Sequence, residues 1–302
     1  MTRTIICPIP SHLRPTIVYA RSRKGFDFSR THGLLRIMRG AYLKPDRNRM
    51  RWEQRFIVSL ARAVAAMRVL PSARCLTHTS AALVQGLAMW TQEPDVYLSF
   101  PSNPRTTTAR LPLFRFPASG VPKPVERVEP DGRQVLLYRR RLDLDDDEIQ
   151  VVGGVPVTHA LRTAFDCACD EPPFNALSIA DSALRQYCGP DPWNRGACRD
   201  KEKQARAYWK RLVSRYRGRK GIAQARAVLA AASPWAVLPG ESVLRWVVLV
   251  LGLPEPVLQY RVDIRTGERF IDLCWPELRI AVEFDGRLKY RTGDDEIGRA
   301  HV

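Results

Sequence analysis

Hydrophobic and polar positions alternate in two different rhythms along this chain, and the rhythms divide it. Arg51 to Leu70 carries alanine, leucine and arginine at helical spacing and predicts a helix. Cys75 to Leu87 (CLTHTSAALVQGL) begins with threonine and serine, which favour helix starts, and predicts a short helix. Leu34 to Leu43 (LLRIMRGAYL) reads as a helix that runs into a tight turn at Arg39-Gly40 and then a β-wing. From Pro94 the texture changes. Val96 to Phe100 alternates as a strand, and prolines at 101, 104, 112, 117, 122 and 124 punctuate the next stretch. Val135 to Tyr138 is a further strand, followed by three arginines at 139–141. Ile149 to Val157 predicts a hairpin with Gly153-Gly154 at its turn. The acidic run Asp143 to Glu148 reads as a solvated turn.

Helical spacing then returns. It starts at Thr158 to Phe165 and continues through Phe174 to Tyr187, Lys201 to Arg217 and Ile222 to Ala232, with a loop at Pro190 to Ala197. Ser233-Pro234 and Pro239-Gly240 bracket a boundary. Beyond it lies a helix with apolar positions Val243, Leu244, Val247, Val248 and Leu251, closed by Gly252 and Pro254. Three strands come next: Val257 to Ile264, Arg269 to Trp275 and Arg279 to Asp285, with a hairpin turn at Thr266-Gly267. The expected fold class is therefore α+β and multidomain. Residues 1–93 are helical, 94–157 β-rich and proline-rich, 158–235 helical and basic, and 236–302 a helix followed by a three-stranded sheet.

Composition adds a partner class. Of 302 residues, 48 are Lys or Arg and 31 Asp or Glu, a net charge of +17. Such a surplus attracts polyanions, nucleic acid above all. The run Lys210 to Lys220 concentrates it: Lys210, Arg211, Arg215, Arg217, Arg219 and Lys220 either track a phosphate backbone or form a solvated helix end. The seven cysteines include no CxxC pair, so neither a disulfide framework nor a zinc site is expected, and buried free thiols are. No apolar run is long enough to cross a bilayer, and the expected setting is the reduced cytoplasm.

The candidate chemistry lies in the last segment. Ten residues separate Asp272 from Glu283, and Glu283 and Asp285 flank Phe284. Along a strand, Glu283 and Asp285 share one face. Carboxylates crowded on one face repel unless a cation neutralises them, and magnesium or manganese suits an all-oxygen set. The alternative is pairing with Arg269, Arg279, Arg287 or Lys289. Glu241 stands in the first turn of the preceding helix, where an acid either caps the helix or joins the cluster.

The stretch GES before a leucine- and valine-rich helix, then LPEPVLQYRV and FIDLCWPELRIAVEFDGRLKY, resembles the C-terminal domain of an actinobacterial group. That domain is related to the very-short-patch-repair endonuclease of the PD-(D/E)XK superfamily. The segments MRGAYL, LTHTSAALVQGL and VPVTHALRTAFDCA resemble AbiEi-type antitoxins of abortive-infection toxin–antitoxin systems. The resemblance implies a restriction-endonuclease-like core at 236–302, behind a winged-helix-like DNA reader whose helix-turn-helix is degenerate here. It implies a DNA-acting phage-defence protein with a cognate toxin as a further partner, and a magnesium- or manganese-dependent endonuclease or, alternatively, a non-catalytic DNA-binding regulator. By position, Asp272 and Glu283 match the two motif acids, Asp285 stands where the motif lysine usually does, Lys289 supplies a nearby positive charge, and Glu241 matches the acid of the first helix. The superfamily core continues past the third strand. The final residues EIGRAHV resemble one reading frame of a sequencing adapter, so a core cut short at its C-terminal end is expected.

Overall fold

The computed structural model describes residues 4–20, 33–118, 120–125, 134–265 and 267–284. In chain order its elements are β1 (Thr4–Ile5), β2 (Ile17–Tyr19), β3 (Leu35–Met38), β4 (Ala41–Leu43), α1 (Arg51–Val69), β5 (Cys75–Leu76), α2 (His78–Val84), β6 (Val96–Phe100), β7 (Thr108–Arg110), β8 (Phe114–Arg115), β9 (Lys123–Pro124) and β10 (Leu136–Arg141). The chain continues with β11 (Ile149–Val152), β12 (Val155–Thr158), α3 (Ala160–Asp170), α4 (Pro173–Cys188), α5 (Arg199–Arg215), α6 (Ile222–Ala231), α7 (Pro239–Val250), β13 (Val257–Ile264), β14 (Gly267–Trp275) and β15 (Ile280–Val282). The architecture is mixed α and β, as expected.

Seven strands form one mixed sheet in the order β1-β11-β12-β5-β6-β10-β7. Alanines let α1 lie close on it: Ala61 and Ala65 join Leu76, Val96, Leu98, Leu137 and Val157 in a single buried cluster. The β11–β12 hairpin turns on Gly153 and Gly154, both at positive φ (56° and 83°), the signature of a type I′ turn. This sheet takes strands from both sides of the boundary expected at residues 93 and 94. The two segments share it because β5 pairs with β6 on one side and with β12 on the other, Leu76 with Leu98 and with Val157, and the second separation in sequence is one that local pattern cannot reveal.

Two further elements differ from expectation. Leu35–Met38 is a strand, not a helix, and hairpins with Ala41–Leu43 around Arg39-Gly40. Gly40 sits at φ 80° and stops the chain before a helical turn could repeat. The acidic run is not simply solvated. Glu148 is buried and receives a hydrogen bond from Arg162 Nη1 at 2.6 Å, and Arg215 binds Asp143 and Asp145 at 2.7 and 2.6 Å.

Helices α3 to α6 form a second core, in which Ala164, Ala168, Ala176, Ala180 and Ala183 are fully buried and allow close helix approach. α7 docks on α4, and at that seam Arg245 Nη2 contacts both oxygens of Asp181 at 2.7 Å. The C-terminal sheet runs β13-β14-β15, antiparallel throughout, over a small core of Ala236, Leu258 and Leu273. A middle loop grips it: Arg195 Nη1 donates to the carbonyls of Leu258 and Gln259, each at 3.1 Å, while its guanidinium stacks on Trp235. All seven cysteines are free, and six are buried.

Candidate functional site

Four elements converge at the C-terminal sheet. Pro239 at the first position of α7 is pre-set for helix entry. Two residues later Glu241, buried, accepts backbone N–H bonds from Leu238 at 3.1 Å and Val237 at 2.9 Å. That is the capping geometry. Burial pushes the Glu241 carboxyl up. The two N–H groups pull it back, the Asp272 charge pushes it up again, and the net direction is upward.

Asp272 sits on β14. Its Oδ2 accepts from the Phe284 backbone N–H at 2.9 Å and its Oδ1 from Gln259 Nε2 at 3.2 Å. The same Gln259 nitrogen lies 3.4 Å from Glu241 Oε2. One neutral amide thus joins the acid of the helix to the acid of the sheet. Gln259 can do this because it leaves the extended conformation: its φ is 49°, a left-handed value in the middle of β13. Its neighbours keep their pairing, Leu258 with Leu273 and Tyr260 with Ile271.

Glu283 follows β15. β15 ends where Val282 pairs with Leu273; the same register carried one step on would oppose Glu283 to Asp272, and directly opposed residues share a face. Glu283 is exposed there. Asp285 and Lys289 lie outside the described residues. Phe284 turns the other way, with its ring against Gly240 in the first turn of α7 and edge-on to Trp90 at 6.4 Å.

Whether these groups suit a divalent cation can be tested on their donor atoms. Asp272 and Glu283 offer hard oxygens from adjacent strands, which fits magnesium or manganese. Glu241 has both oxygens engaged by backbone N–H groups and reaches Asp272 only through Gln259. Among the described residues no three His, Cys, Asp or Glu side chains come together as a ready metal cluster.

The basic run divides. Arg215 is tied to Asp143 and Asp145, and Arg219 to Asp166 and Asp170, the latter pair each at 3.0 Å. These two are engaged in ion pairs, Arg215 at the exposed surface and Arg219 partly buried. Lys210, Arg211, Arg217 and Lys220 are exposed.

A second polar centre gathers residues of the segments LTHTSAALVQGL and VPVTHALRTAFDCA, to which the sequence assigned no chemistry. Arg162, fully buried on the apolar helix α3, binds Glu148 and Asp166, and its Nη2 donates to Tyr216. Asp170 continues the chain to His78, Arg140 and Arg219. His78 begins α2 at φ 49° and stacks on Tyr97. The signal of this centre in the sequence is the i,i+4 pair Arg162–Asp166 on a helix whose other positions are mostly apolar.

The chain is similar to proteins of Mycobacterium tuberculosis described as uncharacterized protein Rv2248 (strain H37Rv) and uncharacterized protein MT2308 (strain CDC 1551). Each is 32% identical over 152 residues, half of this chain and half of the relative. The chain thus spans about half the length of the curated relatives it matches. No protein-family model matches the chain. No solved structure matches it either.

Proposed function

We propose that this is a DNA-acting protein of a defence or toxin–antitoxin setting, whose C-terminal unit hydrolyses phosphodiester bonds with magnesium or manganese. The observation that carries this reading is Asp272, bonded to the backbone N–H next to Glu283 and linked to Glu241 through Gln259. The order helix, strand, strand, strand around those acids agrees with a restriction-endonuclease-like core.

In this reading Asp272 and Glu283 hold the cation. When bound there, it would lower the pKa of a coordinated water and offset charge on the phosphate. Asp272 is kept in place by the Phe284 N–H and the Gln259 amide, so its carboxylate is pre-oriented before substrate arrives. Glu241 fixes the start of α7 and bears on Asp272 through the shared amide. Asp285 orients the attacking water, and Lys289 supplies positive charge for the phosphate. The +17 net charge draws DNA to the surface.

The second reading is a DNA-binding regulator without catalysis. It is favoured by Glu241, whose two oxygens serve the helix end as a cap. Plasmid DNA incubated with the protein and magnesium or manganese separates the two. Nicking or linearisation that disappears in Asp272→Ala and Glu283→Ala supports the hydrolase. Retained DNA binding with no cleavage above those variants leaves the regulator.

A further inference from the structure

Helices α5 and α6 leave between them a groove of about 450 Å³. Its floor is apolar, made by Trp209, Val213, Leu229 and Ala230. Trp209 is fixed there because its indole Nε1 donates to the Leu161 carbonyl at 2.9 Å. The rim is cationic: Arg206, Lys210, Arg217 and Arg226, with no Asp or Glu among the lining residues. Arg206 is already committed to Glu202 and to the carbonyl of Ala232 past the end of α6. Lys210, Arg217 and Arg226 are exposed, and none of them enters an ion pair among the described residues. Lys210 lies one turn before Val213 and Ser214 on α5, and Arg217 follows two residues past the end of that helix.

We propose that this groove receives an acidic amphipathic helix from another protein. The trough between two packed helices is the natural seat for a third, whose ridge of side chains enters it. An apolar ridge would cover Val213, Leu229 and Ala230. Carboxylates on its flanks would meet Lys210, Arg217 and Arg226. Ser214 and Ala230 are small enough to let a backbone come close. Duplex DNA matches this shape less well. Its phosphates would have to cover an apolar floor that offers them no partner, and a wide convex cylinder does not enter a narrow trough. The proposal does not depend on the acids of the C-terminal sheet.

The probe is a fluorescein-labelled peptide of about 18 residues, with leucines along one helical face and glutamates on both flanks, titrated with the full chain and followed by anisotropy. Saturable binding is expected, weakened about tenfold or more by Val213→Asp or Ala230→Asp, and similarly by Lys210→Glu combined with Arg217→Glu and Arg226→Glu. A peptide with lysines in place of the glutamates should not bind. Ala230 is exposed, so its variant keeps the fold, which thermal melting checks directly. Three results overturn the proposal: no saturable binding, binding indifferent to both floor substitutions, or displacement by a duplex of about 20 base pairs that binds Val213→Asp as well as it binds the parent.

Discussion

The side-chain nitrogen of Gln259 stands 3.2 Å from Asp272 Oδ1 and reaches Glu241 Oε2 at 3.4 Å, so a single amide mediates between a sheet acid and a helix acid. Replacing it with Gln259→Leu removes the donor and leaves two partly buried carboxylates facing each other. A loss of about 1–3 kcal/mol is expected from the denaturant midpoint. Gln259→Glu should lose more, and millimolar manganese should restore its melting temperature while leaving Asp272→Ala unmoved. A Gln259→Glu protein as stable as its parent and indifferent to manganese would show that the two acids are not coupled through residue 259.

Gly240 tests how Phe284 is held. A Cβ built at residue 240 collides with the Phe284 ring. Ala is the better helix former by about 1 kcal/mol, so on helix propensity alone Gly240→Ala would stabilise α7. The collision should outweigh that and give a net loss of about 1–3 kcal/mol. Because the Phe284 N–H is bonded to Asp272, the loss should be relieved in the double variant with Phe284→Leu. Stabilisation by Gly240→Ala alone would show that the ring is free to move aside.

The Arg245–Asp181 pair joins α7 to α4 in a fully buried setting. Removing one partner, as in Asp181→Leu or Arg245→Met, leaves a buried charge uncompensated and should cost about 3–5 kcal/mol. Replacing both, Asp181→Leu with Arg245→Met, should cost far less than the two singles added. Chemical denaturation of the four proteins closes the cycle. Additive losses would mean that the two charges do not sense each other.

Acid sensitivity should trace to Asp170. Burial raises its carboxyl, but the hydrogen bond with His78 and the charges of Arg219 and Arg140 outweigh burial and hold it below the ordinary carboxylate range. A depressed folded-state value contributes stability that is fully present above the unfolded pKa of about 3.9 and is lost as pH falls from there towards the folded value. Stability should therefore climb between roughly pH 2 and pH 5. Asp170→Asn should be less stable than the parent near neutrality and should climb less steeply. Identical pH profiles for the two proteins would assign the acid limb elsewhere.

Much of the C-terminal unit was legible because its elements are long, periodic and bounded by glycine and proline. The strands end at Trp275 before Pro276 and restart after Arg279, and alternation alone put Phe284 on the face opposite Glu283. The role of Gln259 was not legible. An amide within a strand has no distinctive spacing, and only its left-handed φ sends it between two acids. The strand Leu35–Met38 is too short to display a period of two against one of 3.6. The Arg162 centre was not legible, because buried and exposed arginines are the same letter. What separates Arg215 and Arg219 from Lys210 and Arg217 is which acids lie near them after folding.

The parallel pairing of β1 with β11 has a consequence for how the chain matures. Thr4 and Ile5 pair with Val151 and Val152, so the earlier strand, once synthesised, must wait for nearly half the chain before it finds its partner. Until the two meet, β11 has an open edge on the large sheet. Contacts of such sequence separation close slowly. An open edge is also a template for pairing with other chains. Deleting Thr4 and Ile5 would leave every catalytic candidate intact, yet it would expose Ile149–Val152 as a bare sheet margin and turn a folding delay into a route to aggregation.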